Sequence, residues 1–214
     1  MLMTVGAYAQ MPKDKIALQG EDSFKAEMFK EFSDTIEDNA LYVATTGSDS
    51  NAGTIDKPFA TVQKALDTVK AGQTIYVRGG TYNALNSFKT SGSEGKYITL
   101  RNYPNETPFL TCTTGTNGAI LLLNGCNYIK IYGLEIGGHS AEQAYGILIN
   151  DCENHIIISN NHIHNLLTTK PGENENGEAN GILLFGEGKT DETSINNICI
   201  ENNNIHNNSN KYRK

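Results

Sequence analysis

Three stretches of this sequence align without gaps from their first isoleucine: NYIKIYGLEI (127–136), NHIIISNNHI (154–163) and NICIENNNI (197–205). Side chains of a strand alternate between its two faces, so isoleucines two positions apart point to the same side. The matching positions are Ile129, Ile156 and Ile198, then Ile131, Ile158 and Ile200, then Ile136, Ile163 and Ile205. Between them stand Gly133, Asn160-Asn161 and Asn202-Asn203, residue types that tolerate the left-handed backbone of a sharp corner. The stretches predict a repeated strand, corner, strand unit.

Five further apolar runs recur along the chain: TIYVR (74–78), YITLR (97–101), AILLL (119–123), GILIN (146–150) and GILLF (181–185). Their first inward candidates are Ile75, Ile98, Ile120, Ile147 and Ile182, and two positions on come Val77, Leu100, Leu122, Ile149 and Leu184. We expect each set to stack as one column of side chains. Each repeat then holds three short strands.

A unit of three short strands cannot bury its apolar face alone. Successive coils stacked roughly 4.8 Å apart would form parallel sheets around a continuous interior. Leucine-rich repeats would need a helix in each unit, and a sandwich would need antiparallel hairpins; neither signature is present. The predicted fold class is therefore all-β, a parallel β-helix (solenoid). An N-terminal capping α-helix is predicted within PFATVQKALDTVKAG (58–72), where apolar residues recur at helical spacing before Gly72.

The predicted organisation has three parts. Residues 1–9 resemble a partial secretory signal peptide, because Ala7-Tyr8-Ala9 has the small-x-small pattern of a cleavage site. Residues 10–40 form a polar leader with a short helix, in which Phe24, Met28, Phe32 and Ile36 recur every four residues. Residues 41–214 form the β-helix, expected to be truncated at its C-terminus because no cap follows the last predicted strand. We expect a secreted, periplasmic or cell-surface protein without a membrane span.

The net charge and the spacing of the cysteines argue against two classes of protein. The formal net charge is −7, which argues against a nucleic-acid-binding protein. An acidic substrate would need a local basic patch or a bridging cation. The four cysteines fit no zinc-binding spacing. Cys126 and Cys152 each follow a strand end by three residues, so they should stack in adjacent coils. They would then either pack as small apolar groups or form a disulfide.

Two stretches resemble the N-terminus of secreted right-handed β-helix polysaccharide lyases of the pectate lyase type: LYVATTGSDSNAGTIDKPFATVQKALDTVKAGQTIYVRGGTY (41–82) and SGSEGKYITLRNYPNETPFL (91–110). The resemblance implies a calcium-dependent enzyme, monomeric when full length, that cleaves an acidic, pectate-like polysaccharide by β-elimination, with a Lys or Arg as the base. The aspartate-rich calcium motif of such proteins lies downstream of this opening. These 214 residues hold no Asp-Asp cluster, so no catalytic residue is carried over and we expect the chain alone to be inactive. The alternatives are a non-catalytic glycan-binding or structural β-helix, and a β-helix glycoside hydrolase with paired carboxylates.

Arg78 and Arg101 are the candidate substrate-binding residues. Each comes three positions after the first isoleucine of its run, so we expect both on one outward row, which continues as Leu123, Asn150 and Phe185. The guanidinium group can bind the carboxylate of a uronic acid through two hydrogen bonds. The alternative is a solvated or capping role.

Asp151 and Glu153 are the candidate metal ligands, because carboxylate oxygens bind calcium and both residues fall at a coil corner beside His155. Asp49, Ser50 and Asn51 offer a second oxygen cluster that an Asx-type turn explains equally well. His164 and His206 align one position after the third isoleucine. We expect them to stack, either as exposed ladder residues or with a metal or acid–base role.

Overall fold

The computed structural model describes residues 3–5, 16–17, 36–152, 155–170, 177–186 and 197–210. They form one short helix, α1 (Val62–Thr68), and eighteen short strands. The strands are β1 (Met3–Val5), β2 (Ile16–Ala17), β3 (Leu41–Val43), β4 (Thr74–Val77), β5 (Gly80–Asn83), β6 (Asn86–Phe88), β7 (Ile98–Asn102), β8 (Pro108–Thr111), β9 (Gly118–Asn124), β10 (Ile129–Tyr132), β11 (Glu135–Ala141), β12 (Gln143–Asn150), β13 (Ile156–Ser159), β14 (His162–Thr168), β15 (Glu178–Phe185), β16 (Ile198–Glu201), β17 (Asn204–His206) and β18 (Ser209–Asn210).

The strands make three sheets. The first sheet has the order β1-β15-β12-β9-β6, the second β2-β16-β13-β10-β7-β4-β3, and the third β17-β14-β11-β8-β5 with β18 beside β14. From β4 to β17 the chain visits the second, third and first sheets in that order, coil after coil. Every described pair between β3 and β18 is parallel. The predicted parallel β-helix with three strands per coil is confirmed.

The isoleucine columns of the three aligned stretches are also confirmed. Ile156 pairs with Ile129 and Ile198, Ile158 with Ile131 and Ile200, and Ile163 with Ile136 and Ile205. The central member of each column is fully buried in the main apolar core. These columns line the second and third sheets, so the interior is built from stacked side chains at matching positions of successive coils.

The single column predicted for the five apolar runs is wrong. The runs at 74–78 and 97–101 lie in the second sheet, whereas those at 119–123, 146–150 and 181–185 lie in the first. Ile147 pairs in parallel with Ile182 as expected, but its other partner is Leu121, not Ile120. Ile120 and Leu121 are both buried in the main core, and Leu122 packs outward. The strand therefore bends between two consecutive inward residues, and alternation does not hold across a bend.

The second register error involves the first two runs. Ile75 pairs with Leu100, two positions beyond the predicted Ile98. Ile98 itself pairs with Ile129 in the next coil. In either register an isoleucine or leucine points inward. The apolar pattern alone therefore cannot distinguish two registers that differ by two residues.

Left-handed residues make the corners between second and third sheets. Gly133, Asn160 and Asn202 have φ of 67°, 56° and 54°, as their predicted corner role requires. The Asn161 side chain donates to the carbonyls of Ile131 and Ser159 and accepts from the Leu134 N–H. It also contacts the side chain of Asn203 in the next coil, 3.0 Å away. Asparagines therefore satisfy the backbone groups that each corner leaves without a strand partner.

Helix α1 caps the first coil, as predicted, and packs against β3, β4 and β6. Thr61 is its N-cap and accepts a hydrogen bond from the Lys64 N–H. The helix is shorter than the predicted segment at 58–72, because the backbone becomes extended at Val69. That conformation places the Val69 side chain in the core beside Leu66.

The opposite end carries two strands that the sequence did not indicate. β1 pairs antiparallel with β15 and β2 pairs antiparallel with β16, so the last coil has a backbone partner on two of its sheets. Apart from these strands and residues 36–40, the predicted signal peptide at 1–9 and leader at 10–40 lie outside the described residues, as does most of the predicted leader helix.

The stacked cysteines are thiols. All four cysteines are buried, and they are thiols rather than disulfides. The Cys126 and Cys152 thiols face the carbonyl oxygens of Phe88 and Leu123, each at 3.6 Å. Burial raises the pKa of the Cys152 thiol to about 12, and burial also raises that of Cys126. Of the two alternatives, the structure has the packed thiols.

Replacing Ile158 with alanine should lower the free energy of unfolding by about 3 kcal/mol, because the cavity interrupts a column of fully buried isoleucines. The matched control is Ile55→Ala, since Ile55 is 45% exposed and its loss should cost less than about 0.5 kcal/mol. Urea unfolding of the two variants measures the difference. Equal stabilities would contradict the stacked core.

We expect the four buried thiols to react slowly with thiol-specific reagents in the folded protein. We expect Ellman's reagent to label none of the four cysteines rapidly in native protein and all four after denaturation in guanidinium chloride without reductant. Two labelled thiols after denaturation would instead indicate a disulfide.

Candidate functional site

Arg78 and Arg101 do not share a row. Arg101 lies in β7, and its partner in β4 is Tyr76, so Arg78 comes two residues after that pair. The predicted continuation of the row is right only in that Asn150 and Phe185 pair with each other. They lie in the first sheet, and Leu123 is an inward residue of that sheet. The side chains of Arg78 and Arg101 therefore lie in two different environments.

Arg101 points outward from the second sheet but is only 5% exposed. Its guanidinium lies between the rings of Tyr76 and Tyr132, 5.6 and 5.1 Å from their centroids. These tyrosines flank it on the neighbouring strands. The arrangement is a covered cation–π stack. Substrate binding by Arg101 stays a prediction, and this burial does not favour it.

Arg78 is more accessible, with 38% of its side chain exposed. Its Nε and Nη2 donate to both carboxylate oxygens of Glu106 at 2.6–3.0 Å, and its guanidinium lies 4.3 Å from the centre of the Tyr103 ring. The same carboxylate accepts a hydrogen bond from the Gly79 N–H. Arg78 therefore joins the end of β4 to the turn after β7.

Of the predicted metal ligands, only Asp151 lies among the described residues. It is exposed, has a φ of 49° in the turn after β12, and its N–H donates to the Phe185 carbonyl. Glu153 lies outside the described residues, so metal binding by this pair stays a prediction.

Asp49 has a structural role. Its carboxylate accepts hydrogen bonds from the N–H groups of Ala60 and Thr61 and from the Thr61 hydroxyl, at 2.8–3.0 Å. Desolvation raises the pKa of Asp49, but these three hydrogen bonds outweigh it and the pKa is lowered overall. The turn interpretation of this segment is supported.

The histidines form a cluster on the outward face of the third sheet. His164 of β14 pairs with His206 of β17, as predicted. Two residues that were not singled out from sequence join them: His162 on β14 and Glu135 on β11, which are direct partners. We call Glu135, His162, His164 and His206 the histidine–glutamate cluster.

Short polar contacts hold the cluster together. His164 Nε2 lies 2.9 Å from Glu135 Oε1, and His162 Nε2 lies 2.8 Å from His206 Nε2. The His162 ring centroid is 4.3 Å from that of His164 and 5.0 Å from that of His206. Burial and the nearby His164 and His206 lower the pKa of His162, while Glu135 opposes this shift. Three potential ligand atoms, from Glu135, His162 and His164, thus lie within 4.8 Å of one another, and His206 contacts His162 beside them.

A sequence signal for the whole cluster exists in the aligned stretches. Glu135 and His162 occupy the same position, one residue before the third isoleucine, and His164 and His206 share the position after it. Residues on either side of an inward isoleucine both point outward. Following the outward columns as closely as the inward ones would have found all four residues.

The cluster does not fit the calcium implied by the family resemblance. Calcium takes six to eight oxygen ligands, whereas three of the four cluster residues are histidines, which offer nitrogen. Within the described ranges, Glu135, His162 and His164 are the only group of three or more His, Cys, Asp or Glu side chains whose ligand atoms converge. Calcium binding by this chain stays a prediction.

Among the described residues, no helix has the length and apolarity needed to cross a bilayer. The model of a known family, described as the Pel9A-like right-handed β-helix region, matches residues 41–213. The chain is also similar to a solved structure, GH136 lacto-N-biosidase from Eubacterium ramulus, with a TM-score of 0.64 and 19% identity over 79% of this chain and 34% of that one. At that identity the likeness concerns the fold.

Two curated proteins are similar in sequence. The uncharacterized protein YwoF of Bacillus subtilis (strain 168) is 37% identical over 145 residues, covering 64% of this chain and 31% of YwoF. Pectate lyase PEL9 of Emericella nidulans is 30% identical over 175 residues, covering 75% of this chain and 37% of the lyase. The chain thus spans about a third of the length of these relatives. The all-β, right-handed parallel β-helix class is confirmed, and the chain belongs to the family of Pel9A-like right-handed β-helix proteins.

Proposed function

We propose that this chain is part of a secreted polysaccharide lyase that cleaves pectate-like uronic-acid glycans by β-elimination. The observation that carries the proposal is the 30% identity to pectate lyase PEL9 across 75% of the chain. The match of the Pel9A-like family model over residues 41–213 supports it. Export agrees with the proposed substrate and with the small-x-small pattern of Ala7-Tyr8-Ala9. Removal of residues 1–9 on export would also remove β1, which pairs with β15 in this structure.

The proposed reaction defines what the whole protein must supply. A base removes the proton at C5 of the uronate, negative charge develops on the adjoining carboxylate, and the bond from C4 to the glycosidic oxygen breaks. The product has a double bond between C4 and C5, and the leaving oxygen takes up a proton. Positive charge beside the carboxylate lowers the barrier by stabilising the developing enolate.

In this proposal the ion pair of Arg78 and Glu106 stabilises the fold and does not bind the substrate. Glu106 already engages Nε and Nη2, so a uronate carboxylate would compete with an intramolecular partner that is always at hand. The hydrogen bonds from Arg78 lower the pKa of Glu106 more than burial raises it. The pair therefore stabilises the folded state while Glu106 is ionised.

The activity is tested on the product of the complete gene and on the 214-residue chain side by side, with polygalacturonate as substrate. We expect the complete protein to generate the ultraviolet absorbance of unsaturated uronides, to lose it in chelator and to regain it with added calcium, as the family resemblance implies. The 214-residue chain should show no turnover, because no catalytic residue could be assigned within it.

Other outcomes would replace the proposal. Reducing ends released without unsaturated product would identify a glycoside hydrolase. Retention in a polygalacturonate affinity gel with neither product would identify a glycan-binding or structural protein. Chelator-sensitive lyase turnover by the 214 residues alone would place the catalytic groups inside this chain.

Replacing Glu106 with glutamine should lower the free energy of unfolding by about 1 kcal/mol at neutral pH. Because the folded-state pKa of Glu106 lies below its unfolded value near 4.5, this contribution is present above that value and is lost as the pH falls through the folded-state pKa. Urea unfolding across a pH series should therefore show wild type and variant converging in acid. The exposed Glu94, replaced by glutamine, is the control. A difference that persists in acid would show that the carboxylate charge is not its cause.

A further inference from the structure

The outward face of the third sheet gathers nitrogen and oxygen ligands from three successive coils. Glu135 comes from β11, His162 and His164 from β14, and His206 from β17. The parallel register sets Glu135 beside His162 and His164 beside His206. Three hydrogen-bonded strands therefore fix the Cα positions of these four residues. Their side chains then have less conformational freedom to lose when a ligand binds.

Glu135 and His164 contact each other across neighbouring strands. The residue directly opposite His164 is Gly137, where a Cβ would collide with the His164 carbonyl oxygen, so the two strands approach closely here. The Glu135 carboxylate reaches diagonally across the two strands and contacts His164 Nε2 at 2.9 Å. The Phe109 ring lies parallel to the His164 imidazole, 5.9 Å between centroids, and supports its orientation. A residue outside the cluster, Phe109, thus packs against one of its potential ligands.

The ligand-atom spacing suits a small transition-metal ion. The ligand atoms of Glu135, His162 and His164 lie within 4.8 Å of one another, and His206 Nε2 is 2.8 Å from that of His162. Bonds of about 2.0 Å to a tetrahedral zinc ion would separate neighbouring ligand atoms by roughly 3.3 Å. Small side-chain movements would bring the ligand atoms of Glu135, His162 and His164 to that spacing, and His206 lies beside His162 as the fourth ligand.

The chemistry of the ligands selects the class of ion. Neutral imidazole nitrogen binds zinc, nickel and copper, whereas calcium and magnesium prefer a shell of oxygen atoms. Exposed fractions of 12% for the His164 side chain and 28% for that of Glu135 leave the cluster open to solvent. An ion can therefore enter without unfolding a coil.

We propose that Glu135, His162, His164 and His206 form a binding site for a divalent transition-metal ion of the zinc class. The site is separate from the calcium that the family resemblance implies, because its donors are mainly imidazoles. A bound ion would link three adjacent coils of the third sheet and stabilise the folded state in proportion to its free concentration.

The test is isothermal titration of the tag-free full chain with zinc chloride at neutral pH, since a polyhistidine tag would bind the same ions. We expect saturable binding of one zinc ion per chain, a rise in melting temperature with zinc, and no loss of zinc affinity when calcium is present. His162→Gln and His164→Gln should each weaken zinc binding at least tenfold, because even the loss of a residue that only supports a ligand typically costs about 10- to 100-fold in metal affinity.

Two further measurements keep the proposal falsifiable if a histidine variant is destabilised. Glu135→Gln should weaken zinc binding, whereas its matched control Glu142→Gln, a half-exposed carboxylate paired with Lys170, should not. The paramagnetic resonance spectrum of the copper-loaded wild type should show splitting from several nitrogen ligands. Absence of saturable zinc binding, or equal zinc affinities of wild type and both glutamate variants, would show that the cluster is only a hydrogen-bonded ladder of side chains.

Discussion

The pairing of each strand with its counterpart one coil later is the interaction on which the whole structure depends. A single coil of three short strands has an apolar interior with nothing above or below it and unpaired backbone groups along every strand. Stacking satisfies both needs at once, because parallel hydrogen bonds join the strands while isoleucines such as Ile131, Ile158 and Ile200 meet in register. Each fully buried isoleucine contributes about 1.5–3 kcal/mol, so stability grows with the number of coils.

The corners decide whether that stacking can repeat. The last three passages from the second to the third sheet use a left-handed residue at the same position of the coil: Gly133, Asn160 and Asn202. Asparagine at these corners adds a side chain that bonds to backbone groups of neighbouring coils, as Asn161 does with Ile131 and Leu134. Conformation and hydrogen bonding at the corners therefore agree with the register of the strands, which is the kind of consistency that specifies one fold.

The same repetition also places chemistry in columns on the outside of the molecule. On the second sheet the outward column brings Tyr76, Arg101 and Tyr132 into a covered cation–π stack. On the third sheet it brings Glu135, His162 and His164 together at a partly exposed patch. The fold itself does not select a reaction, since β-helices carry different activities on one scaffold. The function proposed for this chain depends on sequence similarity to a pectate lyase. The metal site proposed for the histidine–glutamate cluster depends instead on the positions of its own four side chains.

The amino-acid sequence by itself determined the fold class, the three isoleucine columns, the left-handed corners and the capping helix. Each of these depends on residue types at short, regular spacing: isoleucine at alternate positions, glycine or asparagine at the corner, and an apolar stripe before Val69. The neighbours across coils were predictable where the stretches align without gaps, and for that reason His164 and His206 were placed correctly beside each other.

Only the tertiary structure decided the register of the remaining coils and the partners of the polar side chains. The bend between Ile120 and Leu121 and the two-residue shift that pairs Ile75 with Leu100 leave apolar residues inside in either register, so the apolar pattern could not reveal them. The contact between Arg78 and Glu106 joins residues that are far apart in sequence, across a turn whose path is set by packing. Periodicity identifies which face a side chain occupies, whereas the contacts it makes there depend on how the coils lie on one another.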